Sequence, residues 1–246
     1  LKDKTLSIIF INKGDNKPYS TSSGEYYTKS SSDKKKISPE ELRRMFAESK
    51  RLYADKAPVY KSSINDLNTQ LFYQYLENSD PKIYTELKNN LLDLSTLLHN
   101  EDILSDSQLT LSGNLIFGIS PQKFTPSFYV DCVYFMGNDV SSRQYLSEYR
   151  FKGAFKELYN QAFNFIISNL KRRQVEESFN SLGKLEIHEI ILEELIINAL
   201  VHRDYYIDAP IRIFMFDNRV EIISPGKLTN SLTIENIKSG RSVHRN

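Results

Sequence analysis

Ile187-His-Glu-Ile-Ile-Leu192-Glu-Glu194-Leu-Ile-Ile-Asn198-Ala-Leu-Val-His202-Arg203-Asp204-Tyr205 is the stretch on which the fold turns. Leu192, Leu195, Ile196 and Ala199 recur at helical spacing, and Ile187, Ile190, Ile191, Ile197 and Val201 cover most of the remaining circumference. A helix that is apolar nearly all round is a buried one, so 187–202 is expected inside a core. Glu194 and Asn198 stand within it four residues apart and therefore stack on one face. A carboxylate and an amide in such surroundings need partners. An ion pair and an ordinary hydrogen bond would supply them. So would a site in which the amide oxygen ligates Mg²⁺ and the carboxylate orients a water. The spacing leaves both open.

Working downstream, two β-branched runs, Ile211 to Phe216 and Val220 to Ile223, read as strands. Asp217-Asn218 between them tolerates the positive φ of a tight hairpin. Ser224-Pro225-Gly226 places a turn at the carboxyl end of the second strand, a common ligand position in α/β layers. Ser239-Gly240-Arg241-Ser242 offers hydroxyls, backbone N–H groups and a guanidinium to an anion. Each feature is weak alone; with the helix they resemble a nucleotide pocket.

Upstream, Gly153 to about Arg173 traces an amphipathic helix closed by Lys171-Arg172-Arg173, and Phe128 to Phe135 reads as a strand holding an inert buried thiol at Cys132. The middle is mostly helical, with Leu87, Leu91, Leu94, Leu97 and Leu98 forming a core stripe. At the front, 5–11 reads as a buried strand, Gly14 to Pro18 as a turn and Gly24 to Thr28 as a turn feeding a strand. Ser38-Pro39-Glu40-Glu41 spells a capped helix start.

Composition narrows the function classes. The 246 residues are 40% hydrophobic and 26% charged, ordinary for a globular chain, and no run is long enough to span a membrane. The 32 basic and 31 acidic residues exclude a uniformly basic nucleic-acid coat, yet residues 1–56 hold 13 Lys/Arg against 8 Asp/Glu. One cysteine rules out an internal disulfide framework and fits a reducing, cytoplasmic setting. No charged-then-apolar leader is present, so no signal peptide is expected. Gly113 to Gly118 has P-loop glycine spacing but lacks its lysine, and the four histidines show no metal-ligand spacing. No pairing suggests covalent catalysis.

Glu194 to Tyr205, Ile222 to Leu228 and Ser239 to Asn246 together resemble prokaryotic RecG-related transcriptional regulators. The C-terminal half of that family is similar to the GHKL ATPases, and its N-terminal half is an Alba-like DNA-binding domain shared with Schlafen proteins. Gly14 to Tyr19, Glu25 to Lys29 and Ser38 to Leu42 look like the end of the Alba-like domain, and Thr110 to Gln122 resembles the connector. The resemblance implies an α+β chain truncated at both ends. It comprises an incomplete Alba-like module (1–56), a mostly helical connector (57–177) and the first part of a GHKL-like α/β sandwich (178–246). It makes Asn198 the Mg²⁺ ligand and Glu194 the general base, with His202, Ser224, Pro225, Gly226 and Arg241 about bound ATP. Ser224 stands where the family has an adenine-reading aspartate, and only one glycine of its turn remains.

The expected function is a DNA-binding transcriptional regulator with an ATP-binding GHKL-like domain, an Mg²⁺-dependent ATPase in the full-length protein. DNA would be met through the N-terminal half, without membrane, and a homo-oligomer is allowed. Two alternatives remain: a non-catalytic regulator whose degenerate nucleotide site serves packing or dimerisation, and a Schlafen-type RNA-processing nuclease whose active site lies outside this chain.

Overall fold

The computed structural model describes Phe10 and residues 18–30, 33–48, 53–140, 145–173, 184–226 and 234–239. The chain is α+β and divides into two compact units, residues 1–53 and 54–246. The strand expected at 5–11 and most of the turn after it lie outside the described residues, Phe10 excepted.

In the first unit, Gly24 takes a positive φ of 76° and turns the chain into an antiparallel hairpin, β1 (Tyr27–Ser30) and β2 (Asp33–Lys36). Helix α1 (Pro39–Glu48) starts where the Ser-Pro-Glu-Glu signal places it. The Ser38 hydroxyl accepts the Glu41 N–H at 3.2 Å, and proline fills the first helical position. Tyr26 packs edge-on against Phe46.

The second unit opens with a helical layer: α2 (Thr69–Ser79), α3 (Pro81–Lys88), α4 (Leu94–Asn100), a short ribbon of β3 (Leu104–Ser105) and β4 (Gln108–Leu109), and α5 (Leu111–Phe117). Each helix is delimited by its own cap: Asn68, Asp80, Asp93 and Thr110 all accept a first-turn N–H. The leucine stripe is broken. Asn90 adopts a positive φ between α3 and α4, so Leu91 is 76% exposed while Leu87, Leu97 and Leu98 enter the core. Gly113 packs so closely that a Cβ would sit 2.4 Å from the Ile103 carbonyl oxygen, which is why no side chain stands there.

A four-stranded sheet follows, built from β5 (Val130–Phe135), β6 (Tyr145–Phe151), β9 (Ile211–Met215) and β10 (Val220–Ile223) in the order β10-β9-β5-β6. Strand β5 runs parallel to β9, and the outer pairs are antiparallel. Register places Tyr149, Cys132, Ile213 and Ile222 in one row across the sheet. Helices α6 (Phe155–Asn169) and α7 (Glu189–Val201) cover this face: Leu158, Ala162, Phe165 and Ile166 from one meet Leu192, Ile196, Ala199 and Leu200 from the other. Buried Gln122 fastens the layers, donating to the Phe128 and Gly153 carbonyls at 2.8 and 3.0 Å and accepting the Gly153 N–H at 2.8 Å. Helix α8 (Ile234–Lys238) ends the described chain. Among the described residues no helix is long and apolar enough to cross a membrane.

Three further expectations change. Helix α6 ends at Asn169, and Arg172 and Arg173 instead form β7 (Arg172–Arg173), paired with β8 (Lys184–Leu185). The β9–β10 turn spans only Asp217 and Asn218, as the Phe216 N–H bonds the Arg219 carbonyl, but neither residue takes the positive φ expected there. Helix α7 is not buried all round. Its apolar residues exceed what the sheet and α6 can cover, and Ile190, Ile191, Leu195, Ile197 and Val201 are exposed.

Cys132 is fully buried at the centre of the sheet, and burial, with Asp131 nearby, pushes its thiol up to about 12. At pH 8 the thiolate fraction is then about one in ten thousand. A thiol-reactive dye should leave native Cys132 unlabelled for hours and label it within minutes in denaturant. Rapid native labelling would contradict this packing.

Candidate functional site

The site is assembled where the last turn of α7 meets the end of β10. The Ser224 hydroxyl donates to the Ala199 carbonyl at 3.0 Å, and the Asp204 N–H donates to the Pro225 carbonyl at 2.8 Å. Gly226 takes a φ of 126°, a conformation that excludes most side chains, so the turn requires the glycine at that position. His202 ends the helix as its C-cap, its N–H bonding the Asn198 carbonyl at 3.0 Å. Asn198, His202, Ser224, Pro225 and Gly226 thus belong to two elements joined directly to each other. Arg241 lies outside the described residues.

One turn back along α7, the Asn198 side-chain N–H donates to Glu194 Oε1 at 2.8 Å. Glu194 is exposed and Asn198 half-buried. The carboxylate therefore holds the amide in one orientation, and Asn198 Oδ1 makes no bond among the described residues. An amide oxygen without a partner beside a carboxylate is an oxygen donor set that suits Mg²⁺ rather than a softer metal. Among the described residues no group of three or more His, Cys, Asp or Glu could hold a metal ion, so phosphate oxygens and water would have to complete the shell.

His202-Arg203-Asp204-Tyr205 anchors the helix end. Arg203 is 2% exposed and donates through Nη2 to the Ile207 and Ala209 carbonyls at 3.1 and 2.6 Å. Its guanidinium lies 4.1 Å from the Phe128 ring centre and 5.5 Å from that of Tyr205. Burial holds the Arg203 pKa below its usual range, although an arginine remains protonated. The Tyr205 hydroxyl donates to the Leu200 carbonyl at 2.6 Å, and burial raises its pKa. Asp204 accepts the Tyr206 N–H in a local turn. Phe128, the other side of this clamp, is invisible to motif reading, because no spacing connects it to Arg203.

A second surface lies in the first unit. Register sets Lys29 opposite Lys34 and Tyr27 opposite Lys36, so three lysines share one hairpin face. Directly opposed like charges destabilise a ribbon. The Lys34 ammonium sits 3.7 Å from the Tyr27 ring centre, and Lys36 pairs with Glu25 at 3.0 Å, a solvent-screened contact. These contacts offset the repulsion only in part, and the whole of β2 is exposed.

Residues 208–246 match the family described as "Putative ATP-dependent DNA helicase recG C-terminal". This supports an ATPase-like, nucleotide-binding segment over the part of the chain that includes β9, β10 and the Ser224 turn. No curated protein matches the chain. Among solved structures, the DIP2311 protein from Corynebacterium diphtheriae is similar, with a TM-score of 0.56 and 18% identity over 91% of this chain and 43% of that one. At that identity the likeness concerns the fold alone. The present chain spans less than half the length of that structure.

If Arg203 is the clamp, Arg203→Met should lower the unfolding free energy by about 2–3 kcal/mol and Tyr205→Phe by about 1 kcal/mol, read by urea denaturation. An unchanged midpoint for Arg203→Met would remove this role.

Proposed function

We infer that the chain is part of a nucleotide-linked, DNA-binding regulator acting in the cytoplasm. Its GHKL-like domain (178–246) takes Mg·ATP, its connector (57–177) carries the helical layer, and its Alba-like module (1–56) meets DNA. The observation that carries the nucleotide half is the Glu194–Asn198 bond, which leaves the amide oxygen without a bond among the described residues, on a helix whose Ala199 carbonyl is tied to the Ser224 turn. Asn198 would hold Mg²⁺, which neutralises phosphate charge when bound. Glu194 fixes the amide through one oxygen and retains a second for a water. Support for the DNA half is electrostatic: the opposed lysines of the hairpin favour a polyanion that relieves their repulsion.

A second reading has an observation of its own. Because the Ser224 hydroxyl is committed to Ala199, and α7 exposes a broad apolar face, the domain would serve for packing or dimerisation with its nucleotide site lost.

Titration of the full-length protein with Mg·ATP separates the two. Asn198→Ala should bind at least tenfold more weakly than the parent, with unfolding unchanged. Equally feeble binding by both would leave the packing reading. For the DNA half, duplex affinity measured from 50 to 300 mM salt should fall steeply. Replacing Lys29, Lys34 and Lys36 by Glu should flatten the logarithmic slope by about 3. A salt-insensitive parent would end that assignment.

A further inference from the structure

At the far end of β10 from Ser224, a cavity of about 410 Å³ opens where the C-terminal end of α6, the β7–β8 ribbon and the β9–β10 turn converge. Val220 lines it and Ile223 ends the strand, so the cavity and the Ser224 turn stand roughly 10–13 Å apart along β10. The cavity is therefore separate from the surface proposed for nucleotide.

Its chemistry is two-sided. Leu170, Leu185, Met215, Phe216 and Val220 contribute apolar wall, and Met215 and Phe216 are themselves buried. Lys171, Lys184 and Arg219 contribute cations, against Glu186 and Asp217, so the lining keeps one net positive charge. Arg219 is held rigidly. Nε donates to Glu221 at 2.6 Å, Nη1 donates to the Asn138 carbonyl at 2.7 Å, and the guanidinium lies 3.8 Å from the Phe216 ring centre. Its Nη2 makes no bond among the described residues. Lys171 gives one N–H to the Asp217 carbonyl at 2.9 Å and has two more. A fixed guanidinium and ammonium groups over an apolar wall match a small molecule with one anionic head and an apolar body. Two carboxylates in the same lining disfavour a dianion such as a phosphate monoester.

The geometry points to a binding site for an apolar monoanion, an aryl or short acyl carboxylate, in this cavity. Calorimetric titration with 2-naphthoate tests it, with uncharged 2-naphthalenemethanol as control. Naphthoate should saturate below 1 mM and bind at least tenfold more tightly than the alcohol. Val220→Trp, which fills the cavity, should abolish binding, and both Arg219→Gln and the exposed Lys184→Met should weaken it several-fold. Lys184→Met keeps the test open if the other variants lose their fold. Equal affinity for acid and alcohol, full binding by Val220→Trp, or no saturation would each overturn the proposal. Competition by Mg·ATP would also overturn it, by making the two sites one.

Discussion

The charged group of an arginine that is only 2% exposed must be satisfied where it sits, since losing its hydration costs several kcal/mol unless dipoles replace the water. Arg203 finds two carbonyls in the loop just after it and two aromatic rings, one of them Phe128 from the segment leading into β5. These contacts set the path of 203–209 and so the point at which β9 enters the sheet. The Ile211 N–H then bonds the Tyr129 carbonyl, and β9 pairs with β5 from Val130 opposite Ile211 onward. Placement of β10 and its terminal turn against α7 follows from that register.

Helix α7 consequently has two tasks on two faces. Leu192, Ile196, Ala199 and Leu200 seal the sheet, a burial on the order of 1.5–3 kcal/mol for each large side chain. The other side carries the Glu194–Asn198 pair among exposed isoleucines and leucine. Glu194 is exposed and Asn198 half-buried, so the mutual hydrogen bond serves mainly to fix which amide atom is left to accept a further bond.

Much of the framework was legible in local chemistry. The Ser38-Pro39 start of α1, the strands ending in Met215 and Ile223, and the strand around Cys132 all appear where propensity, capping and alternation place them. Strand β6 was missed because its residues are mostly exposed and lack clean alternation. The Leu87–Leu98 stripe misled because periodicity cannot register the turn at Asn90. Arg172-Arg173 looked like a cationic helix end, whereas their partners Lys184 and Leu185 lie across a sequence gap.

For the site, the sequence by itself determined that an acid and an amide would stack on one helix face and that a glycine turn would follow the second strand, since both are matters of spacing and backbone sterics. Tertiary structure alone decided that the helix shows that face to solvent, that Ser224 spends its hydroxyl on Ala199, and that Arg203 is a buried clamp. The reason is that burial and partner choice depend on which surfaces meet across the fold, and a one-dimensional pattern records only which residues could be buried.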